Sequence, residues 1–255
     1  FYSMFLPMFR AKFETKSAIP HVFIVAHAHS GKSVLLSFIA KLLNLRKIDG
    51  AQFNKYRTIY TFANHTLPII IDEVSRIEPK TRDLLKNKLT TFYEASETTY
   101  GQKPVRKYWM LGTAVAAGQD VLRDPSLSTK SLKFSLDNRK VDEYDPSIVG
   151  KNFPNFPFYE FADYLCDALA RTGEGSFDDI YNKSYSFICY HLKGNPVSDK
   201  NRFIYNWAVL FTARELLLRW VEPENTLQEK KLEFPHDTNE AEEIISLMLE
   251  HTVDI

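Results

Sequence analysis

Glycine is scarce in this 255-residue chain, with 9, and cysteine scarcer, with 2. The shortage of glycine, set against 19 Phe and 13 Tyr, excludes a low-complexity disordered chain and favours an ordered aromatic core. Cys166 and Cys189 form no CxxC. That pattern excludes a disulfide framework and implies a reducing, cytoplasmic setting. Charge of one sign is missing too: 32 basic residues balance 32 acidic ones, so any grip on nucleic acid has to come from a local patch. No apolar run approaches the roughly 20 residues of a membrane-spanning helix. The best candidate, 207–218, is interrupted by Arg214 and Glu215, and no membrane partner is expected. The chain opens at Phe1 without a basic start, apolar stretch and cleavage site, as expected of a piece of a longer protein and not of a secreted precursor.

What is present has the alternation of an α/β core. Residues 22–25, Val-Phe-Ile-Val, form a short buried-strand pattern. The loop Ala26-His27-Ala28-His29-Ser30-Gly31-Lys32-Ser33 follows, and from Val34 the spacing of Leu35, Phe38, Ile39, Leu42 and Leu43 predicts a helix. Residues 49–55 read as a loop, and 58–62 as a short strand. Leu67-Pro68-Ile69-Ile70-Ile71-Asp72-Glu73 predicts a second buried strand ending in two carboxylates. Pro79 begins a helix with Leu84, Leu85 and Leu89 on one side. Residues 98–100 and 105–111 predict a hairpin around Gly101-Gln102-Lys103-Pro104, its second arm running on as a central strand to Thr113. Asp124-Pro125 predicts a helix cap and first position, and 132–136 a last strand. After a Pro-, Asn- and Asp-rich stretch at 142–157, the pattern turns helical over 158–171, 202–220 and 241–251. The expected organisation is an α/β core over 1–140 and a mostly helical domain over 141–255.

The loop matches GxxxxGK[ST] except that Ala26 stands at the first Gly. Phosphate binding needs backbone N–H groups turned onto the ligand, a cation and a hydroxyl for magnesium. Residues Ala26 to Val34 supply the cradle, Gly31 the tight turn, Lys32 the cation and Ser33 the metal ligand. Asp72, at the strand end, suits the magnesium shell, and Glu73 suits activation of water against the γ-phosphate. Thr113 reads either as a group that senses the γ-phosphate or as a strand-end Thr without a role. His27 and His29 read as loop histidines facing solvent or as a metal-binding HxH pair. Tyr100, Lys103, Arg106 and Lys107, with Tyr108, read either as a grip on single-stranded nucleic acid or as a solvated edge. The cofactors implied are ATP and Mg2+.

AHAHSGKS at 26–33, PIIIDE at 68–73, TTYGQKPVRKYWMLGTA at 98–114 and RDPSLSTKSLKFSL at 123–136 together resemble the superfamily-3-like, AAA+-type helicase module of plasmid, phage and archaeal-virus replication proteins. RFIYNWAVLFTARELL at 202–217 is similar to the helical segment that follows such cores. The resemblance implies a P-loop, AAA+-like parallel-sheet core. It also implies a homo-oligomeric ring, a hexamer, that moves hairpins near Tyr100 to Lys107 along single-stranded or forked DNA in a host-cell cytoplasm. It points to Arg123, Lys130 and Arg139 as candidates for the residue that reaches a neighbouring subunit's nucleotide. Two other readings stand beside it. One is an AAA+ or STAND-like ATPase that works as an assembly switch or on a protein partner. The other is a decayed loop, marked by Ala26, that serves as a scaffold.

Overall fold

The computed structural model describes residues 19–28, 30–54, 62, 67–93, 97–100, 106–109, 112–119, 124–136, 157–192 and 200–221, of which 92, 97–100, 106–109, 125 and 158 by backbone alone. The chain divides into two compact units, one running to Phe156 and one beginning at Pro157.

The first unit is built on five parallel strands in the order β2-β3-β6-β1-β7. These are β1 (His21–Val25), β2 (Lys47–Asp49), β3 (Ile69–Asp72), β6 (Ala114–Gly118) and β7 (Ser131–Ser135). Helix α1 (Lys32–Leu42) follows β1, α2 (Pro79–Tyr93) follows β3, and the short α3 (Pro125–Ser128) precedes β7. Parallel strands covered on both faces need continuous apolar runs. Ile69, Ile70 and Ile71 of β3 are buried, as are Ala114 to Ala117 of β6. The small residues of β6 suit the middle of the sheet, where helices approach closely. Leu85 and Leu89 of α2 join Phe23, Ile69, Ile71, Ala114 and Ala116 in the main core cluster.

Two expectations shift in phase or place. The buried stripe of α1 is Leu36, Ile39, Ala40 and Leu43, while Leu35 is exposed. That set keeps the i, i+3, i+4, i+7 spacing that a single core-facing stripe requires. The central strand is Ala114–Gly118, not the aromatic run before it. Residues Arg106–Trp109 form β5, which pairs antiparallel with β4 (Glu97–Tyr100) in a separate two-stranded sheet, with Tyr100 opposite Arg106 and Thr99 opposite Lys107. The expected strand at 58–62 and helix at 241–251 lie outside the described residues, save for Phe62.

The end of the sheet where the strands begin is tied by a buried histidine. The Nε2–H of His21 donates to the Leu89 carbonyl at 2.7 Å, and Nδ1 accepts from the Ala114 N–H at 3.2 Å. This is the pattern of a neutral ring with its proton on Nε2. Asp124 caps α3 as expected, with Oδ1 accepting from the N–H groups of Ser126 and Leu127.

The second unit contains α4 (Phe158–Ala170), α5 (Phe177–His191) and α6 (Lys200–Val221). Helix α6 is buried on nearly every side over 204–217, which marks it as the central helix of this unit. Phe187 of α5 meets Phe211 of α6 at 5.8 Å, and Phe161 of α4 meets Trp220 of α6 at 5.1 Å. Ser176 caps α5 by accepting from the Asp179 N–H, and Asp179 reaches back to the Gly175 N–H. Among the described residues no helix is long and apolar enough to cross a membrane.

Candidate functional site

The sheet order decides where a ligand can sit. Strand β6 lies between β1 and β3, so the chain leaving β1 crosses over it before returning to the sheet. In an open parallel sheet such a switch opens a crevice beyond the carboxyl ends of the strands. The 26–33 loop leaves β1 at that end, and Asp72 and Glu73 leave β3 at the same end.

The loop is tightly turned where the phosphates would have to approach. Gly31 is the N-cap of α1 with φ 82°, in the left-handed region that favours glycine. Gly31 has no side chain to cap α1, so the cap offers no side-chain acceptor to the first N–H groups of the helix. Beside them the Ser30 hydroxyl is buried and has no partner among the described residues. An uncapped helix start carries partial positive charge and attracts an anion. Ala26 is buried, its N–H donates to the Gly118 carbonyl at 3.2 Å, and it is not among the residues of positive φ. The missing first Gly therefore brings no backbone strain at Ala26. His27 and Ala28 are exposed, Val34 begins the helix beside Ser33, and His29 lies outside the described residues.

Lys32 is almost wholly buried, with its side chain 4% exposed. Its Nζ donates to the His27 carbonyl at 2.8 Å and lies 3.8 Å from Glu73 Oε1. The Ser33 hydroxyl donates to Asp72 Oδ1 at 3.2 Å. Lys32, Ser33, Asp72 and Glu73 thus form one connected cluster spanning the two segments. Glu73 sits in the left-handed region, with φ 53° and ψ 59°. For a non-glycine residue that costs about 1–2 kcal/mol. Strain of this kind, held by its surroundings, re-aims the carboxylate at the strand end.

Two expected site residues are elsewhere. Thr113 precedes β6 instead of ending a strand; it is fully buried and donates to the Pro20 carbonyl at 3.0 Å. A five-residue strand separates it from the crevice, about 16 Å at the usual rise. Its place is beside His21, 3.2 Å from Nδ1. Lys130, a candidate for reaching a neighbouring nucleotide, stands directly before β7, at the end of the sheet where the strands begin. It is buried, its carbonyl accepts from the His21 N–H, and its ammonium lies 5.7 Å from the Tyr93 ring centre. Arg123, Arg139 and Lys103 lie outside the described residues, and Tyr100, Arg106 and Lys107 are placed by backbone alone.

Residues missed in the sequence complete the site. Gln119 follows β6 directly and is exposed, at the end of the strand between the loop and the acids. Lys47, in a strand of only three residues, donates to Asp72 Oδ2 at 2.8 Å. Gly50 packs against the Glu73 backbone so closely that a Cβ there would drive into the Glu73 carbonyl. Asp49 pairs with Arg76 at 3.2 Å, tying the turn after β2 to the turn after Glu73. The one local signal for this segment is Asp49-Gly50, a turn pair, which says nothing of what it packs against.

No known sequence family matches this chain, and no curated protein does. Among solved structures the chain is similar to one described as "SCCmec type IV Cch - active helicase", at 13% identity with a TM-score of 0.62. The likeness covers 97% of this chain and 47% of that one, so the chain spans about half its length. At that identity the likeness speaks for the fold alone, which in this chain is α/β, a five-stranded parallel sheet with flanking helices.

Proposed function

We propose that the first unit is a P-loop ATPase that binds ATP with Mg2+ and hydrolyses it, and that hydrolysis drives movement on single-stranded or forked DNA by a ring of copies of this chain. The observation that carries the ATPase reading is the cluster of Lys32, Ser33, Asp72 and Glu73 at an uncapped helix start. Four properties fit a magnesium-bound triphosphate there: a helix cap that offers no side-chain acceptor, a buried unpartnered Ser30 hydroxyl, a buried cation and two adjacent carboxylates.

In this reading the N–H groups at the start of α1 and the Ser30 hydroxyl bind phosphate oxygens. Lys32 exchanges the His27 carbonyl for the β- and γ-phosphates. Ser33 and Asp72 would hold magnesium, which supplies neutralisation of charge on the phosphates when bound. Glu73 takes the proton of the attacking water. Gln119 offers an amide to orient that water or to touch the γ-phosphate, the part first assigned to Thr113.

The helicase reading rests on the fold shared with a structure described as a helicase and on the basic, aromatic composition of the 100–108 hairpin. ATP turnover with and without single-stranded DNA tests it, read beside the particle mass in ATP. A motor shows several-fold stimulation by DNA and a mass of several copies. Replacing Lys103, Arg106 and Lys107 with Ala removes the stimulation while leaving basal turnover in place. Equal turnover with and without DNA, from a particle that stays monomeric, contradicts the motor; turnover unmoved by DNA in an assembled particle supports an ATP-driven assembly switch.

A further inference from the structure

We infer that Lys47 is a positioning residue for the magnesium site, an inference that rests on the ATPase reading. Three carboxylates stand around the crevice, and each has its own cation. Arg76 holds Asp49 at 3.2 Å, Lys32 lies 3.8 Å from Glu73, and Lys47 holds Asp72 at 2.8 Å. Lys32 has to leave its resting contacts to reach phosphates. Lys47 is tied differently: its ammonium donates to Asp72 Oδ2 and also, at 3.3 Å, to the backbone carbonyl of Ser33. One side chain on β2 thereby joins the end of β3 to the first turn of α1.

The division of the Asp72 oxygens gives the reason. Oδ2 is taken by Lys47 and Oδ1 by the Ser33 hydroxyl. A carboxylate held through both oxygens cannot rotate, so Oδ1 stays facing Ser33, the hydroxyl that would ligate the metal. Backbone register supports the arrangement. Lys47 pairs with Ile70 and Asp49 with Asp72, so Lys47 and Asp72 lie on the same face two residues apart, a diagonal that a long side chain spans. The Lys47 side chain is 29% exposed and that of Asp72 10%, so the pair is largely shielded from solvent.

Outer-shell partners of this kind typically change metal affinity 10- to 100-fold when removed. The test compares wild-type protein with Lys47→Met and Lys47→Arg. Manganese binding is read by electron paramagnetic resonance in the presence of a non-hydrolysable ATP analogue, and analogue binding is read separately without metal. Lys47→Met is expected to weaken manganese binding about tenfold while metal-free analogue affinity and thermal midpoint stay near wild type, and Lys47→Arg to recover most of the loss. Unchanged manganese affinity in Lys47→Met overturns the inference. So does tighter binding, which would make the ammonium a competitor for the metal. A wild-type protein that binds neither analogue nor manganese overturns this inference and the ATPase reading together, whereas normal wild-type binding with an indifferent Lys47→Met overturns the Lys47 role alone.

Discussion

Glu73→Gln is expected to bind ATP close to normally and to turn it over at least about 100-fold more slowly, the loss typical of removing a general base. The amide keeps the size of the side chain and loses its basicity. Among the described residues the Glu73 carboxylate is met by Lys32, at 3.8 Å, and by the Ser75 hydroxyl, which donates to it at 3.4 Å. Losing the approach to Lys32 frees that ammonium for phosphate, so affinity for ATP holds or rises. Phosphate release assays measure the turnover, and a fluorescent ATP analogue measures the binding. Comparable losses of binding and turnover would place Glu73 in the phosphate cradle and not at the water.

Gly50→Ala is expected to be the more damaging change to the protein itself. The added methyl meets the Glu73 carbonyl oxygen and crowds Ile77 Cγ1 at 3.1 Å. Neither neighbour is a flexible side-chain end, since one is backbone and the other a core residue 1% exposed. Overpacking of this kind costs roughly 1–3 kcal/mol. The relief available is a shift of the Glu73 backbone, which already sits in a strained conformation. Misplacing a catalytic group by about 1 Å costs turnover on the order of 100-fold. Thermal unfolding and turnover should therefore fall together, while analogue binding in the protein that remains folded is retained. A Gly50→Ala protein with wild-type turnover would mean that Glu73 does not depend on its backbone setting.

The parts of this site that could be read from the chain are those whose signal is local. The stretch from Val22 to Leu43 places strand, loop and helix in sequence order, and Lys32 and Ser33 follow from the motif. Three isoleucines before Asp72 and Glu73 mark a buried strand with polar cargo at its end. The failures share a cause. Strand β6 is Ala-Val-Ala-Ala-Gly, weak in β-propensity, and it follows a run containing Tyr, Trp, Met and Leu that outranks it on hydrophobicity. Only the pairing with β1 and β3 reveals the small residues as the central strand, and with that Thr113 moves to the far end and Gln119 to the crevice. Strand β2 is too short at three residues to show a period, so Lys47 and Gly50 carried no visible sign of what they touch. In α1 the expected stripe keeps Ile39 and Leu43 but has Leu36 in place of Leu35, because the two leucines are equally apolar and only the sheet distinguishes them. Helix α5 shows no plain apolar stripe in sequence because its buried side includes Ser184 and two of its tyrosines, Tyr181 and Tyr185, are half-buried between the faces, although Ser176 and Asp179 offer its cap.

The unity of the loop and the acids is tested most directly by titrating a non-hydrolysable ATP analogue with magnesium into wild-type protein and Lys32→Ala side by side. The arrangement of Lys32 between the loop and Glu73 predicts saturable binding by wild type and a loss of roughly 10- to 100-fold in the variant, the size of a charge-assisted contact. Equal affinity in the two proteins, or no binding by wild type, would contradict it.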